Sequence, residues 1–414
     1  MAFSPVGRLR DGFYGWRIVY ACMVIAVLSW GFGLFGTSVY LHVTHEATKL
    51  SVAALSSAIS LSFFASACAQ IAVGNAISTH GPSRVMGFGA ACLAAGVATI
   101  GSIQELWQAY IGFLLLGTGW SCLSTTAIST TLAPWFEKHQ GRAVSSAMLG
   151  ASLGGMLAVP AMIYGVSHLG RTTTFTLAAL LILITTVPLA RYVLKKAPAA
   201  LGLWPDGIAL DPTTHRPAPT SWTRGHALRS WPFWSAALAF GLAQCVQIGF
   251  LTHHVSLLIP AVGAATAAAT VTGTAITAFV GRLLLAKFSD SLDVRLYSVG
   301  LLLVSGTSLG VMAACPTPAV LIGASLVYGL MLGNITTMGP ITVRREFGAA
   351  AFGKIYGMAA TTIQLFAASG PTIYGVLYGR SGTYVQALAA AAAISLAAAL
   401  VIYSGRNAAR RLPP

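Results

Sequence analysis

The sequence predicts an all-α membrane protein, with twelve transmembrane helices in two pseudo-symmetric six-helix bundles. Three observations predict it. Of the 414 residues, 56% are hydrophobic and only 8% charged, whereas a soluble domain carries roughly 25% charged residues. Twelve apolar runs each approach or exceed the ~20 residues that a helix needs to cross hydrocarbon. Lysine and arginine crowd the segments on one side of those runs and avoid the other, which is a topology signal.

The runs lie at 17-42, 51-77, 84-102, 107-134, 142-168, 172-195, 230-258, 262-288, 295-313, 317-343, 350-378 and 383-404. Neighbouring runs are divided by helix-breaking residues: Gly81-Pro82, Gly170-Arg171, Pro260, Pro316 and Gly382. Forty-four glycines suit helices that pack closely in lipid. With the N-terminus inside, the inner segments hold 20 of the 24 Lys and Arg residues and the outer segments three, Lys49, Arg171 and Arg380. Both termini are therefore expected on the cytoplasmic side. Residues 196–229 are polar, basic and proline-rich. They read as a cytoplasmic linker between an N-terminal bundle, 1–195, and a C-terminal bundle, 230–414. The compact loops and short linker suggest a bacterial inner (plasma) membrane.

The net charge of +15 does not mark a nucleic-acid partner, because the basic residues sit in short loops rather than on one face. The six cysteines lie in or beside apolar runs without CxxC spacing and read as small buried hydrophobes. No metal-ligand spacing, cofactor motif or P-loop is present, so neither a cofactor nor a metal is expected and the chain does not read as an enzyme. The first run follows Arg8, Arg10 and Arg17. It is long enough to span and lacks a small-residue cleavage pattern, so it reads as a helix rather than a leader.

The halves share a weak repeat. Gly74-Asn75-Ala76-Ile77-Ser78-Thr79-His80-Gly81-Pro82-Ser83-Arg84 follows run two. Ala286-Lys287-Phe288-Ser289-Asp290-Ser291-Leu292-Asp293-Val294-Arg295 follows run eight. Paired halves of this kind build a midplane site and rock around it. The first turn resembles the cytoplasmic motif of the major facilitator superfamily at Gly74, Gly81 and Arg84, with Ser78 in place of its acid. Asp290 keeps the acid in the second half, with Arg295 beyond it. The resemblance implies that these residues form a cytoplasmic gate.

Narrower matches resemble the monocarboxylate and oxalate-formate branch. They are Asp11-Gly12-Phe13-Tyr14-Gly15-Trp16 before helix one, and Trp135-Phe136-Glu137-Lys138 with Ala143, Ala147 and Gly150 at helix five. Phe279-Val280-Gly281-Arg282 on helix eight and Gly370-Pro371 with Gly375 on helix eleven complete the set. The chain departs from that branch at Ala278, where many relatives have an acid, and at Phe35, where they have a lysine. Lys354 lies at the start of helix eleven, where oxalate-formate relatives use a deeper second cation.

All nine acids fall in loops or at span ends. Of the bases, only Arg282 lies clearly within a span, eight residues or roughly 12 Å of helix before Asp290. A charge near the bilayer centre costs about 2.5–3.5 kcal/mol on insertion scales and marks a wet cavity or a partner. With no acid at that depth, a substrate carboxylate could be the partner, held by the guanidinium fork. The resemblance implies the same role for this arginine. The plain alternative is that Arg282 snorkels to the cytoplasmic surface or pairs with Asp290.

Further candidates are polar or aromatic residues that are costly in lipid. Gln247 and His254 share a face of helix seven, and His254 could donate to an anion or carry a proton. The bland reading is a hydrated His253-His254 pair near the outer end. Asn334 and Gln364 could bond across helices or to substrate. Tyr40 and Trp120 could line the cavity, although aromatics more often simply pack. Gln70 falls where the repeat places the counterpart of Arg282, so the site would be neutral in one half and cationic in the other.

The expected function is secondary active transport of a small organic anion, a monocarboxylate, by alternating access, by symport or antiport. A lone cation suits a monoanion better than a dianion, which would leave one charge unpaired. The expected partners are the anion, a coupled proton or counter-anion, and the lipid bilayer, around a monomer. A same-fold transporter of a siderophore, amphiphile or drug is the alternative, and a membrane receptor that does not transport is a further one.

Overall fold

The structure is a computed structural model and describes residues 13–136, 139–201, 203, 206, 223–288 and 293–409. Twelve long helices make up its body. The first six are α1 Tyr14–Thr48, α2 Val52–His80, α3 Pro82–Gly101, α4 Leu106–Leu132, α5 Gln140–Leu169 and α6 Arg171–Val193. The helical stretch Trp231–Phe288 is divided at Gly263 into α7 (231–262) and α8 (264–288). After α9, Val294–Ala314, the stretch Pro318–Ser381 is divided at Gly348 into α10 (318–347) and α11 (349–381). The last is α12, Val385–Ser404.

Ten stretches among the described residues are long and apolar enough to cross a membrane. One of them, Trp231–Leu284, has 54 residues, about 80 Å at helical rise, and so holds two crossings. Large apolar side chains point outward without cover, among them Leu400 at 71% and Ile184 at 68% exposure. In water they would be a liability, and in hydrocarbon they are the solvent-facing surface.

Single glycines end several helices. Gly263 and Gly348 take φ of 78° and 76°, a region open to glycine and strained for other residues. The expected break at Pro260 therefore falls three residues later. Proline fixes a helical φ and is tolerated inside α7, whereas Gly263 supplies the reversal. Gly81 (φ 81°) and Gly170 (φ 81°) turn the chain where the sequence places its breaks.

An even number of crossings puts the start of α1 and the end of α12 on one face of the molecule, called here the terminal face. Near it, two sequence motifs meet. Phe13 packs edge-on against Trp135 and Phe136, with centroids 6.1 and 5.5 Å apart, and Trp16 packs against Phe136 at 5.3 Å. The Tyr14 hydroxyl donates to the Val193 carbonyl at 3.1 Å. Phe13 and the first turn of α1 are thus clasped onto the turn between α4 and α5.

α1 carries a π-helical segment, Ser29–Phe35, rich in glycine. Tyr40, fully buried, donates its hydroxyl to the Phe32 carbonyl at 2.9 Å and packs on Phe175 with centroids 5.0 Å apart. That bond satisfies a carbonyl in the irregular turn.

The two six-helix halves touch at mid-depth and towards the face opposite the chain ends. There Ser60 of α2 accepts from the Thr372 backbone N–H at 3.1 Å, and its hydroxyl lies 2.8 Å from the Thr372 hydroxyl. Gly375 leaves room for Ser56, which a Cβ would strike at 2.5 Å.

Candidate functional site at the centre of the two bundles

α8 and α10 approach closely because glycines face them. A Cβ on Gly281 would strike the Leu330 carbonyl oxygen, and one on Gly333 would lie 2.9 Å from the Arg282 side chain. Arg282 fills the groove so formed. Its Nε donates to the Gly333 carbonyl at 3.1 Å, and its Nη1 donates to Ser152 Oγ at 2.7 Å. Ser152 belongs to α5, so the guanidinium of one half is bonded to the other half.

Depth follows from helical rise. Gly333 lies about one residue from the midpoint of α10, and Ser152 about three from that of α5, or within roughly 5 Å of mid-helix. The Arg282 Cα is only about 9 Å from the described end of α8. Its side chain leans back along the helix, as helical Cα–Cβ bonds do, and delivers the charge inward. The arginine does not snorkel to the terminal face. Among the described residues no carboxylate lies within ion-pair distance of it; Asp290, its other expected partner, lies outside them.

The same arithmetic puts Trp120, Gln247, Asn334 and Gln364 within about two residues of the midpoints of α4, α7, α10 and α11. Trp30 of α1 joins this layer. It packs edge-on against Trp120 with centroids 6.0 Å apart, and Trp120 against Phe63 at 5.5 Å. Gly31, next to Trp30, abuts α5, where its Cβ would meet the Gly154 carbonyl at 3.1 Å. The Trp30–Trp120 pair and the Arg282–Ser152 bond therefore flank the same stretch of α1 and α5.

Several polar atoms of the layer are buried and unspent. Trp120 Nε1, Gln247 Oε1 and Asn334 Oδ1 have no hydrogen-bond partner. Asn334 Nδ2 donates to the Leu330 carbonyl at 3.1 Å. Gln364 is half-buried on α11. Gln70 lies with Thr126 at 3.4 Å, inside the first half. Buried polar groups normally find partners, and unpartnered atoms also occur at other levels, among them Thr44 Oγ1, Thr186 Oγ1 and Tyr374 Oη; what distinguishes this layer is the cation beside them.

Tyr40 and His254 are placed elsewhere. Tyr40 is core, as described above. His254 is 1% exposed and packs on Phe250, and its Nε2 lies 3.0 Å from Ser325 Oγ within the second half. Its Nδ1 has no partner. His253, expected to be simply hydrated, is instead buried and bonded on both ring nitrogens. It is 1% exposed, its Nε2 lies 3.1 Å from the Pro371 carbonyl and 3.2 Å from Ser56 Oγ, and its Nδ1 lies 3.1 Å from the Tyr384 hydroxyl. A carbonyl can only accept, so Nε2 carries the proton and Nδ1 accepts from Tyr384. Adjacent helical residues point about 100° apart, so one histidine faces α10 and the other the contact between halves.

Of the expected gate residues, Asp290 lies outside the described residues. Gly74 and Gly81 have nothing within 4 Å of a Cβ position, and Arg84 is exposed. Arg295 is 3% exposed and paired with Glu346 at the end of α10, 2.6 Å from Nε to Oε1. It is a buried tie within the second half rather than a loop cation.

Two six-helix bundles meeting around a buried polar layer with one arginine have the architecture of a membrane transporter. The family model described as Major Facilitator Superfamily matches residues 19–263, more than half the chain. The chain belongs to the Major Facilitator Superfamily. No curated protein matches it. Among solved structures it is similar to a bacterial homolog of the human lysosomal transporter Spinster. With the inward-facing, unoccupied form the TM-score is 0.67 at 12% identity, covering 96% of this chain and 98% of that one. With the inward-facing, occupied form it is 0.68 at 13%, covering 97% and 98%. At that identity the likeness is one of fold.

Proposed function

We propose that this protein is a secondary active transporter of a small organic anion, a monocarboxylate, working by alternating access. The observation that carries the reading is Arg282, a cation at mid-depth between the halves without a carboxylate partner among the described residues. An arginine there is costly unless an anion or water meets it, and its planar fork matches a carboxylate. At the same depth the unspent Trp120 indole N–H can donate to an anion, whereas the unspent Gln247 Oε1 and Asn334 Oδ1 can only accept, from a hydroxyl or water. The terminal face is cytoplasmic if both chain ends lie inside, as the charge distribution supports. Such a protein works as a monomer in a bacterial inner membrane, by anion exchange or with a coupled proton.

The test is thermal stabilisation of the purified chain by acetate, L-lactate and benzoate, with Arg282→Gln beside it. A ligand at 100 times its Kd stabilises by about 2.7 kcal/mol. Stabilisation of the parent and not of the variant supports the reading. An equal response of both, or none at all, refutes it.

A second cargo class has its own support. Arg282 already makes two hydrogen bonds, and the Trp30–Trp120–Phe63 cluster offers an apolar wall. An amphiphile, siderophore or drug would use that wall, with Arg282 as a structural tie. Such a substrate would bind Arg282→Gln as well as the parent.

A further inference from the structure

Hydroxyls in these helices usually spend their proton on their own backbone. Ser62 donates to the Ile59 carbonyl at 2.7 Å, Thr131 to Ala127 at 2.8 Å and Ser395 to Ala391 at 2.9 Å, the ordinary habit of serine and threonine in apolar helices. Ser152 is different. It is 4% exposed, and the one hydrogen bond recorded for its Oγ is the 2.7 Å bond received from Arg282 Nη1. A hydroxyl carries one proton to give and two lone pairs to receive. Ser152 has used a lone pair and still holds its proton, beside a cation, at mid-depth, in a serine that is more than nine-tenths buried.

A donor kept free next to a guanidinium is arranged for an anion. We propose that Ser152 is a substrate-binding residue, its hydroxyl donating to the same carboxylate that Arg282 binds. The inference rests on the anion reading of Arg282 and adds a contact from the opposite half. Arginine supplies charge and a two-pronged fork, and serine supplies a third, neutral donor from another direction. Together they fix the plane of a carboxylate that neither fixes alone. Because α5 and α8 belong to different halves, the bound anion becomes part of the contact between them. Occupancy is thereby linked to the relative position of the bundles, as alternating access requires.

Titration calorimetry of the full chain in detergent, with acetate, L-lactate and benzoate as probes, tests this on four proteins: the parent, Ser152→Ala, Ser152→Thr and Arg282→Gln. For the best probe, Arg282→Gln should abolish binding. Ser152→Ala should weaken Kd about tenfold, the scale of one hydrogen bond to a charged group. Ser152→Thr, which keeps the hydroxyl, should stay within about threefold of the parent. If Ser152→Ala binds like the parent while Arg282→Gln does not, the proposal falls and the anion reading stands. A lower melting temperature with unchanged Kd means a structural hydroxyl and also overturns it, as does a loss in Ser152→Thr equal to that in Ser152→Ala. Parent protein that binds none of the three probes removes both readings together.

Discussion

Arg295 and Glu346 meet across 51 residues as a two-pronged ion pair, 2.6 Å from Nε to Oε1 and 2.9 Å from Nη2 to Oε2. The remaining donors of the guanidinium are also satisfied. Nη1 donates to Ser235 Oγ at 2.9 Å and to the Ile402 carbonyl at 3.0 Å, and Nη2 to the Pro232 carbonyl at 2.8 Å. One side chain thus ties α9 to α10, α7 and α12 at the terminal face. Removing one partner of a buried pair leaves an uncompensated charge and costs about 3–5 kcal/mol. Arg295→Ala and Glu346→Ala should each lower the melting temperature strongly in detergent, and the double variant should lose less than the sum. Arg295→Lys should not restore stability, because an ammonium cannot reproduce the fork. Additive losses in the double variant would show that the two residues act independently.

The Ser60–Thr372 contact offers a lock. The two hydroxyls lie 2.8 Å apart on opposite halves, towards the face away from the chain ends. Paired cysteines there should oxidise to a disulfide that holds this face shut. In proteoliposomes, Ser60→Cys with Thr372→Cys should lose flux on oxidation and regain it with reductant. The exposed native thiols Cys68 and Cys315 are replaced by serine in the control. Full flux in the oxidised protein would mean that this face does not have to open, contrary to alternating access.

The fold was legible because lipid imposes simple rules on a chain: run length, positive-side bias and glycine breaks are all local. The level of Gln247, Asn334, Gln364 and Trp120 follows from helical rise, which turns residue number into depth, whereas Arg282 reaches that level only through the direction of its side chain. Direction around the helix was not legible. Tyr40 and Trp120 are both aromatics on apolar helices, yet one caps a carbonyl in a π-helical turn and the other keeps a free indole N–H. His253 and His254 are neighbours, and which one meets the other half depends on a rotation that composition does not encode. The partner of Arg295 lies 51 residues away, beyond any spacing motif. Ser152 is one serine among many, and only its bond from Arg282 sets it apart.

Arg282→Lys separates charge from shape. Lysine keeps a cation in the groove between α8 and α10, but it lacks the planar fork and the rigid Nε donor that reaches Gly333. The expected outcome is measurable carboxylate binding with a Kd raised about tenfold, worth ~1.4 kcal/mol, against complete loss in Arg282→Gln. In a flux assay the lysine variant should keep slow uptake, while the glutamine variant keeps none. Lysine and glutamine variants that behave alike would mean that the fork, not the charge, is indispensable.

The groove itself depends on Gly281. A Cβ there would collide with the Leu330 carbonyl and lie 3.1 Å from Asn334 Nδ2, and backbone cannot move aside as a flexible side chain would. Gly281→Ala should therefore push α8 away from α10, displace the neighbouring Arg282 and cost about 1–3 kcal/mol of stability. Gly300 on α9 is the control, since nothing lies within 4 Å of its Cβ position. Gly300→Ala should be neutral, or more stable by up to about 1 kcal/mol through helix propensity. Measured together, the two substitutions separate a close helix approach from a general dislike of alanine. Gly281→Ala should also weaken carboxylate binding, because Arg282 and Asn334 both border the displaced contact, whereas Gly300→Ala should leave Kd unchanged. Equal behaviour of the two variants in stability and in binding would show that the α8–α10 approach does not hold Arg282 in place.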